Sequence, residues 1–168
     1  MLLRLWTGLL QGAAMLAGAI LAGMFLAIVV DVGIRTAGLQ PPLWTGAFTE
    51  LGLIYTAMLA APWLVSRGGH IRVTALTDRL PARLSRRIER GIFAVLALLC
   101  LLLAWTALDI ALDTWRRGEV DYRSVPLPRW VLFAALPPAF LMMGVEFARL
   151  ALTGHADRTG SADAERSL

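Results

Sequence analysis

LLQGAAMLAGAILAGMFLAIVV, Leu9 to Val30, is an almost unbroken apolar run. About 20 such residues in helical form cross a bilayer core about 30 Å thick. The hydrophobic region of a cleaved signal peptide spans only roughly 7 to 15 residues, so the run reads as a retained span even though Arg4 supplies a positive flank. Three further runs follow: Ala47 to Val65, Gly91 to Leu108 with an extension to Trp115, and Trp130 to Leu152. A backbone in lipid has no water to bond with, and none of the runs alternates like a barrel strand, so all four are expected to be helical.

The whole chain agrees with this reading. Of its 168 residues 58% are hydrophobic, and the mean hydropathy is +0.66. The formal charge is +4, but every basic residue is an arginine, clustered between apolar runs. Nucleic-acid binding needs a continuous basic surface in water, so no nucleic-acid partner is expected. The single Cys100 lies inside an apolar run and can build neither a disulfide nor a CxxC metal site within one chain. His70 and His155 are the only histidines, both outside the spans, which excludes a bis-histidine haem in the helices. No Walker, GxSxG or HExxH motif occurs, so the chain is read as a non-enzyme without a cofactor of its own.

Arginine placement sets the expected orientation. Arg67, Arg72, Arg79, Arg83, Arg86, Arg87 and Arg90 separate spans two and three, and Arg4, Arg158 and Arg166 flank the ends. Fewer arginines fall on the other side: Arg35, Arg116, Arg117, Arg123 and Arg129. The positive-inside rule therefore predicts both termini in the cytoplasm. Trp6, Trp44, Trp63, Trp115 and Trp130 fall near span ends as an aromatic belt, with Trp105 the exception. Arg67, Gly68 and Gly69 end the second helix, and a short interfacial helix is expected between spans two and three, with Val73, Leu76, Thr77 and Leu80 on one face. Pro81 suits the first turn of a third helix that, if unbroken from Ala82 to Arg116, is about 52 Å long. The expected fold is thus an all-α, four-transmembrane-helix bundle over residues 1–153, with a disordered cytoplasmic tail at 154–168.

Ionisable groups near span ends are Asp31, Glu50, Asp109, Asp113, Glu146 and Arg149. Charge within a membrane is a functional signal by default, because burying it is costly unless it is paired. Here local partners exist: Asp113 has Arg116 and Arg117 at i+3 and i+4, and Glu146 has Arg149 at i+3. Glu50 has no evident local partner. Ala14, Gly18 and Ala22 form a small-residue face on span one, Gly144 and Ala148 another on span four, and Pro137-Pro138 is expected to loosen that last helix. His70, in a loop beside lipid headgroups, reads as a solvated interfacial residue rather than a ligand.

Four stretches carry a resemblance: VVDVGIR (Val29 to Arg35), PPLWTGAFTEL (Pro41 to Leu51), RGGHIRVTALTDRLP (Arg67 to Pro81) and VPLPRWVLFAALPPAFLMMG (Val125 to Gly144). In this order, with four spans, the chain resembles the small, DctQ-type permease subunit of tripartite ATP-independent periplasmic (TRAP) transporters. Members often carry an acidic residue directly after the tryptophan that opens span two; here Thr45, Gly46 and Ala47 intervene before Thr49-Glu50. The resemblance implies a multi-pass protein of the bacterial inner membrane. It also implies a large permease subunit, a periplasmic substrate-binding protein and membrane lipid as partners, with sodium ions used by the large subunit. On that reading the small subunit is a scaffold, and Trp44, Glu50, Arg67, Gly68, Gly69, His70, Arg72, Glu146 and Arg149 are candidate anchors or interface residues. The competing reading is a stand-alone multidrug or ion transporter acting as a homo-oligomer, with Glu50 or the Asp109/Asp113 pair as its proton-coupled site, which needs an unpaired carboxylate inside the membrane.

Overall fold

The structure, a computed structural model, describes residues 2–40, 42–67, 82–122 and 125–153. The expected interfacial helix and the tail lie outside the described residues. The helices are α1 (Leu2–Thr36), α2 (Trp44–Ser66), α3 (Ala82–Arg117), α4 (Trp130–Ala134) and α5 (Leu136–Thr153). Among the described residues four segments are long and apolar enough to span a membrane: Leu5–Thr36, Trp44–Ser66, Arg87–Arg117 and Trp130–Leu152. Each contains the run from which it was expected. The third helix is unbroken over its 36 residues, about 54 Å, far longer than the hydrocarbon is thick.

Two glycines stop α1 and α3 in the same way. Gly38 and Gly118 have φ of 75° and 63°, a left-handed conformation that only glycine adopts without a steric cost. Past α1, the Gly38 and Leu39 amides donate to the carbonyls of Arg35 and Ile34 at 3.0 and 3.1 Å; past α3, those of Gly118 and Glu119 donate to Trp115 and Thr114 at 3.1 and 3.4 Å. This pairing satisfies carbonyls that a helix end otherwise leaves open.

The last span is interrupted at Ala135, between α4 and α5. Pro137 and Pro138 have no N–H for the carbonyls of Phe133 and Ala134, and their rings crowd that turn, so the expected loosening falls just before the prolines. The chain also departs from a purely helical reading. Between α3 and α4, β1 (Val120–Asp121) and β2 (Leu127–Pro128) pair antiparallel, tied by the Arg129 amide donating to Glu119 at 2.9 Å and the Arg129–Glu119 ion pair at 2.8 Å.

The helices form an open row in the order α1, α2, α5, α3 rather than a closed bundle: α1 packs on α2, α2 on α5 and α5 on α3, with no extensive contact between α1 and α3. Small residues allow the close approaches, as they must in lipid where dispersion contacts replace the hydrophobic drive. From α3, Ala97, Cys100, Ala104, Ala107 and Thr114 are buried. A Cβ on Gly144 would lie 3.3 Å from Leu101, and one on Gly52 would lie 2.8 Å from the Met24 Cγ and 3.4 Å from Ile20. The small-residue face of the first span is not the one turned toward α2. The inward face of α1 is Leu10, Ala17, Met24 and Ala27, whereas Gly18 and Ala22 are exposed, because the apolar run offers small residues on more than one face.

Candidate functional site

The polar features gather at three levels along the row. At the end where α2 finishes, Glu146 of α5 is 1% exposed. Its Oε1 accepts from the Trp6 indole N–H at 2.8 Å and from the Arg149 guanidinium at 3.1 Å. Its Oε2 is buried with no hydrogen-bond partner. The expected Glu146–Arg149 pair is therefore present, but it sits in the protein interior and extends to α1. Beside it Val65, Ala97, Cys100, Phe147 and Leu150 form an apolar cluster joining α2, α3 and α5. Arg67 closes α2 through its backbone amide on Trp63 and Leu64 at 3.1 and 3.2 Å, and its guanidinium lies 5.3 Å from the Trp63 ring centroid. A cation held over an indole at a span end is the arrangement an interfacial anchor uses. Gly68, Gly69, His70 and Arg72 lie outside the described residues.

At the opposite end Trp44 is 51% exposed and meets Phe48 edge to face at 6.2 Å. The Thr45 hydroxyl donates to the Pro42 carbonyl at 3.1 Å as the helix begins. Glu50 is exposed and shares a shallow cleft with Asp121, walled by Leu51, Val125, Leu127 and Leu132. Asp31 pairs with Arg35 and Asp113 with Arg117, each at 2.8 Å. Of the two arginines expected near Asp113, Arg117 forms the ion pair.

Between these levels the Tyr55 hydroxyl of α2 donates to the Val131 carbonyl at 2.7 Å, beside the interruption that the prolines make in the last span. Sequence reasoning passed over both Trp6 and Tyr55 as partners. The signal available was chemical: each has an N–H or O–H that seeks an acceptor when buried, but the acceptors are 140 and 76 residues away. Asp109, one of the ionisable groups near span ends, has no hydrogen bond or ion pair among the described residues, and it is exposed on α3.

The arrangement offers anchors and outward apolar faces. Among the described residues no group of three or more His, Cys, Asp or Glu side chains is placed to hold a metal. The family model described as Tripartite ATP-independent periplasmic transporters, DctQ component, matches residues 24–154, from the middle of α1 to the end of α5. No curated protein matches the chain.

Proposed function

Because the chain belongs to the DctQ component family of the tripartite ATP-independent periplasmic transporters, a transporter component rather than an enzyme family, we propose that it is a stationary scaffold in the bacterial inner membrane. It holds the large permease subunit while that subunit carries out sodium-driven uptake of solute delivered by a periplasmic binding protein. The observation that carries this reading is the open row of helices. At most 28% of the apolar stretch of any span is buried within the chain, so the row offers broad apolar faces for lateral packing against a larger membrane protein. The long third helix, with its arginines beyond the apolar run, resists displacement across the bilayer, which suits a fixed part.

On this reading the rim carboxylates stabilise the fold and do not couple transport. Asp31 and Asp113 have helical ion-pair partners; the Asp113 pair is exposed and contributes at most about 1 kcal/mol, whereas the Asp31 side chain is largely buried, with an Oδ1 that has no hydrogen-bond partner. Asp31→Asn, Glu50→Gln and Asp113→Asn, made singly, are each expected to leave the initial sodium-driven uptake rate per mole of assembled transporter within about twofold of wild type. A variant that assembles normally but transports nothing makes its residue part of the transport mechanism and defeats the scaffold reading.

Orientation is tested separately. In a Cys100→Ala background, a cysteine replacing Ser85 is expected to react with membrane-impermeant maleimide only in inverted vesicles. One replacing Tyr122, which lies beside β1 and is exposed, is expected to react in intact spheroplasts. The opposite pattern reverses the topology.

A further inference from the structure

The α3 face turned away from the other helices carries a carboxylate that no described residue pairs with. The buried stripe of α3, through Ala97, Cys100, Ala104 and Ala107, lies against α5. Asp109 is on the opposite side of the helix by the 3.6-residue period, in one stripe with Leu98, Leu102 and Trp105. Trp105 is 74% exposed. Thr106, one turn before Asp109, already donates its hydroxyl to the Leu102 and Leu103 carbonyls at 3.1 Å each. Asp113, one turn after, is engaged with Arg117.

Asp109 also lies inside the span. Leu101 meets Gly144 of α5, and from Leu101 it is eight residues, about 12 Å, along α3 to Asp109. From Gly144 it is thirteen residues, about 20 Å, along the antiparallel fourth span to Val131, which is hydrogen bonded to Tyr55. Asp109 thus stops about 8 Å short of the level of Val131, which adjoins the border tryptophan Trp130, and it lies six residues, about 9 Å, inside Trp115 on its own helix. Arginine and lysine reach the interface from such a depth on long stems, whereas aspartate has a single methylene and cannot. A carboxylate and an indole N–H on a face otherwise made of leucine are poorly served by acyl chains.

We propose that the Leu98–Leu102–Trp105–Asp109 stripe of α3 is the docking face for a transmembrane helix of the large permease subunit, and that this helix presents an arginine or lysine to Asp109. The choice of occupant rests on the scaffold reading. A second copy of this chain would set Asp109 against an equivalent carboxylate in a two-fold contact, whereas a cation meets both the charge and the depth.

The test uses the full chain co-expressed with the large subunit. A benzophenone photocrosslinker at Trp105 or Leu98 is expected to label the large subunit, while one at Leu21, exposed on α1, labels it at least fivefold less. Asp109→Leu is expected to lower recovery of the complex at least tenfold and Asp109→Glu to restore it, while the chain expressed alone is recovered at least as well with leucine as with aspartate. Asp109→Asn is expected to lower recovery without lowering uptake per mole of the complex that forms. Crosslinks only to a second copy or to lipid overturn the proposal. So does wild-type recovery of the Asp109→Leu complex, or a fully assembled Asp109→Asn complex without uptake, which would make Asp109 a coupling site. A wild-type chain that fails to co-purify sinks the scaffold reading along with this inference, whereas a stable wild-type complex indifferent to Asp109→Leu sinks this inference alone.

Discussion

Reconstituted alone into liposomes, the chain is expected to catalyse no solute uptake, and reconstituted with its large permease and binding protein it is expected to support sodium-driven accumulation. This is the largest effect anticipated, because it is all or none. A carrier needs a site that binds solute and opens alternately to both sides, and such sites are built near the midplane from convergent polar groups and interrupted helices. Here the interruption of the last span at Ala135 is closed on α2 by the Tyr55 hydroxyl, and the buried Glu146 is engaged by Trp6 and Arg149. The measurement is labelled-solute uptake per mole of protein, with and without a sodium gradient. Accumulation in liposomes that hold only this chain would sink the scaffold reading and restore the homo-oligomeric carrier. Asp109 is the residue to examine first in that event, since among the described residues it meets that carrier's need for an unpaired carboxylate within the span.

Glu146→Ala is expected to be the most damaging single polar substitution. It leaves the Trp6 N–H without its acceptor and Arg149 without the carboxylate at 3.1 Å. Removing one partner of a buried pair costs about 3 to 5 kcal/mol. Because one oxygen of Glu146 already has no hydrogen-bond partner, the node is imperfectly satisfied and the lower end, about 3 kcal/mol, is expected. Glu146→Gln keeps an acceptor for Trp6 and is expected to cost about half as much. Thermal unfolding of the purified chain in detergent reads both effects. The cost arises from stranded partners more than from lost attraction, so replacing Trp6 by Phe and Glu146 and Arg149 by Leu together is expected to recover most of the stability. A Glu146→Ala protein that unfolds at the wild-type temperature would show that the Trp6–Glu146 link does not fasten α1 to α5.

Much of this protein is determined within single segments. Leu9 to Val30 and the three later runs decide their own helicity, because in lipid a helix satisfies every backbone group from its own chain and needs no knowledge of its neighbours. The span ends are equally local, set by Gly38, Gly118 and the tryptophans at the borders. Pro137-Pro138 marked the weak point of the last span by removing two donors, although the interruption falls at Ala135, where the open carbonyls and crowded turn are.

The lateral order α1, α2, α5, α3 was decided only by the tertiary structure. In water an apolar stripe tells a helix which face to bury, but a span is apolar all round and its periodicity carries no such instruction. Gly18 and Ala22 were therefore as eligible as Ala17 and Met24, and complementarity to the α2 surface at Gly52 selected the latter. The same selection put Ala97, Cys100, Ala104 and Ala107 against α5 and left Trp105 and Asp109 facing outward. It also brought Trp6 to Glu146, a meeting across 140 residues that no local period encodes, because it depends on how whole helices stack side by side.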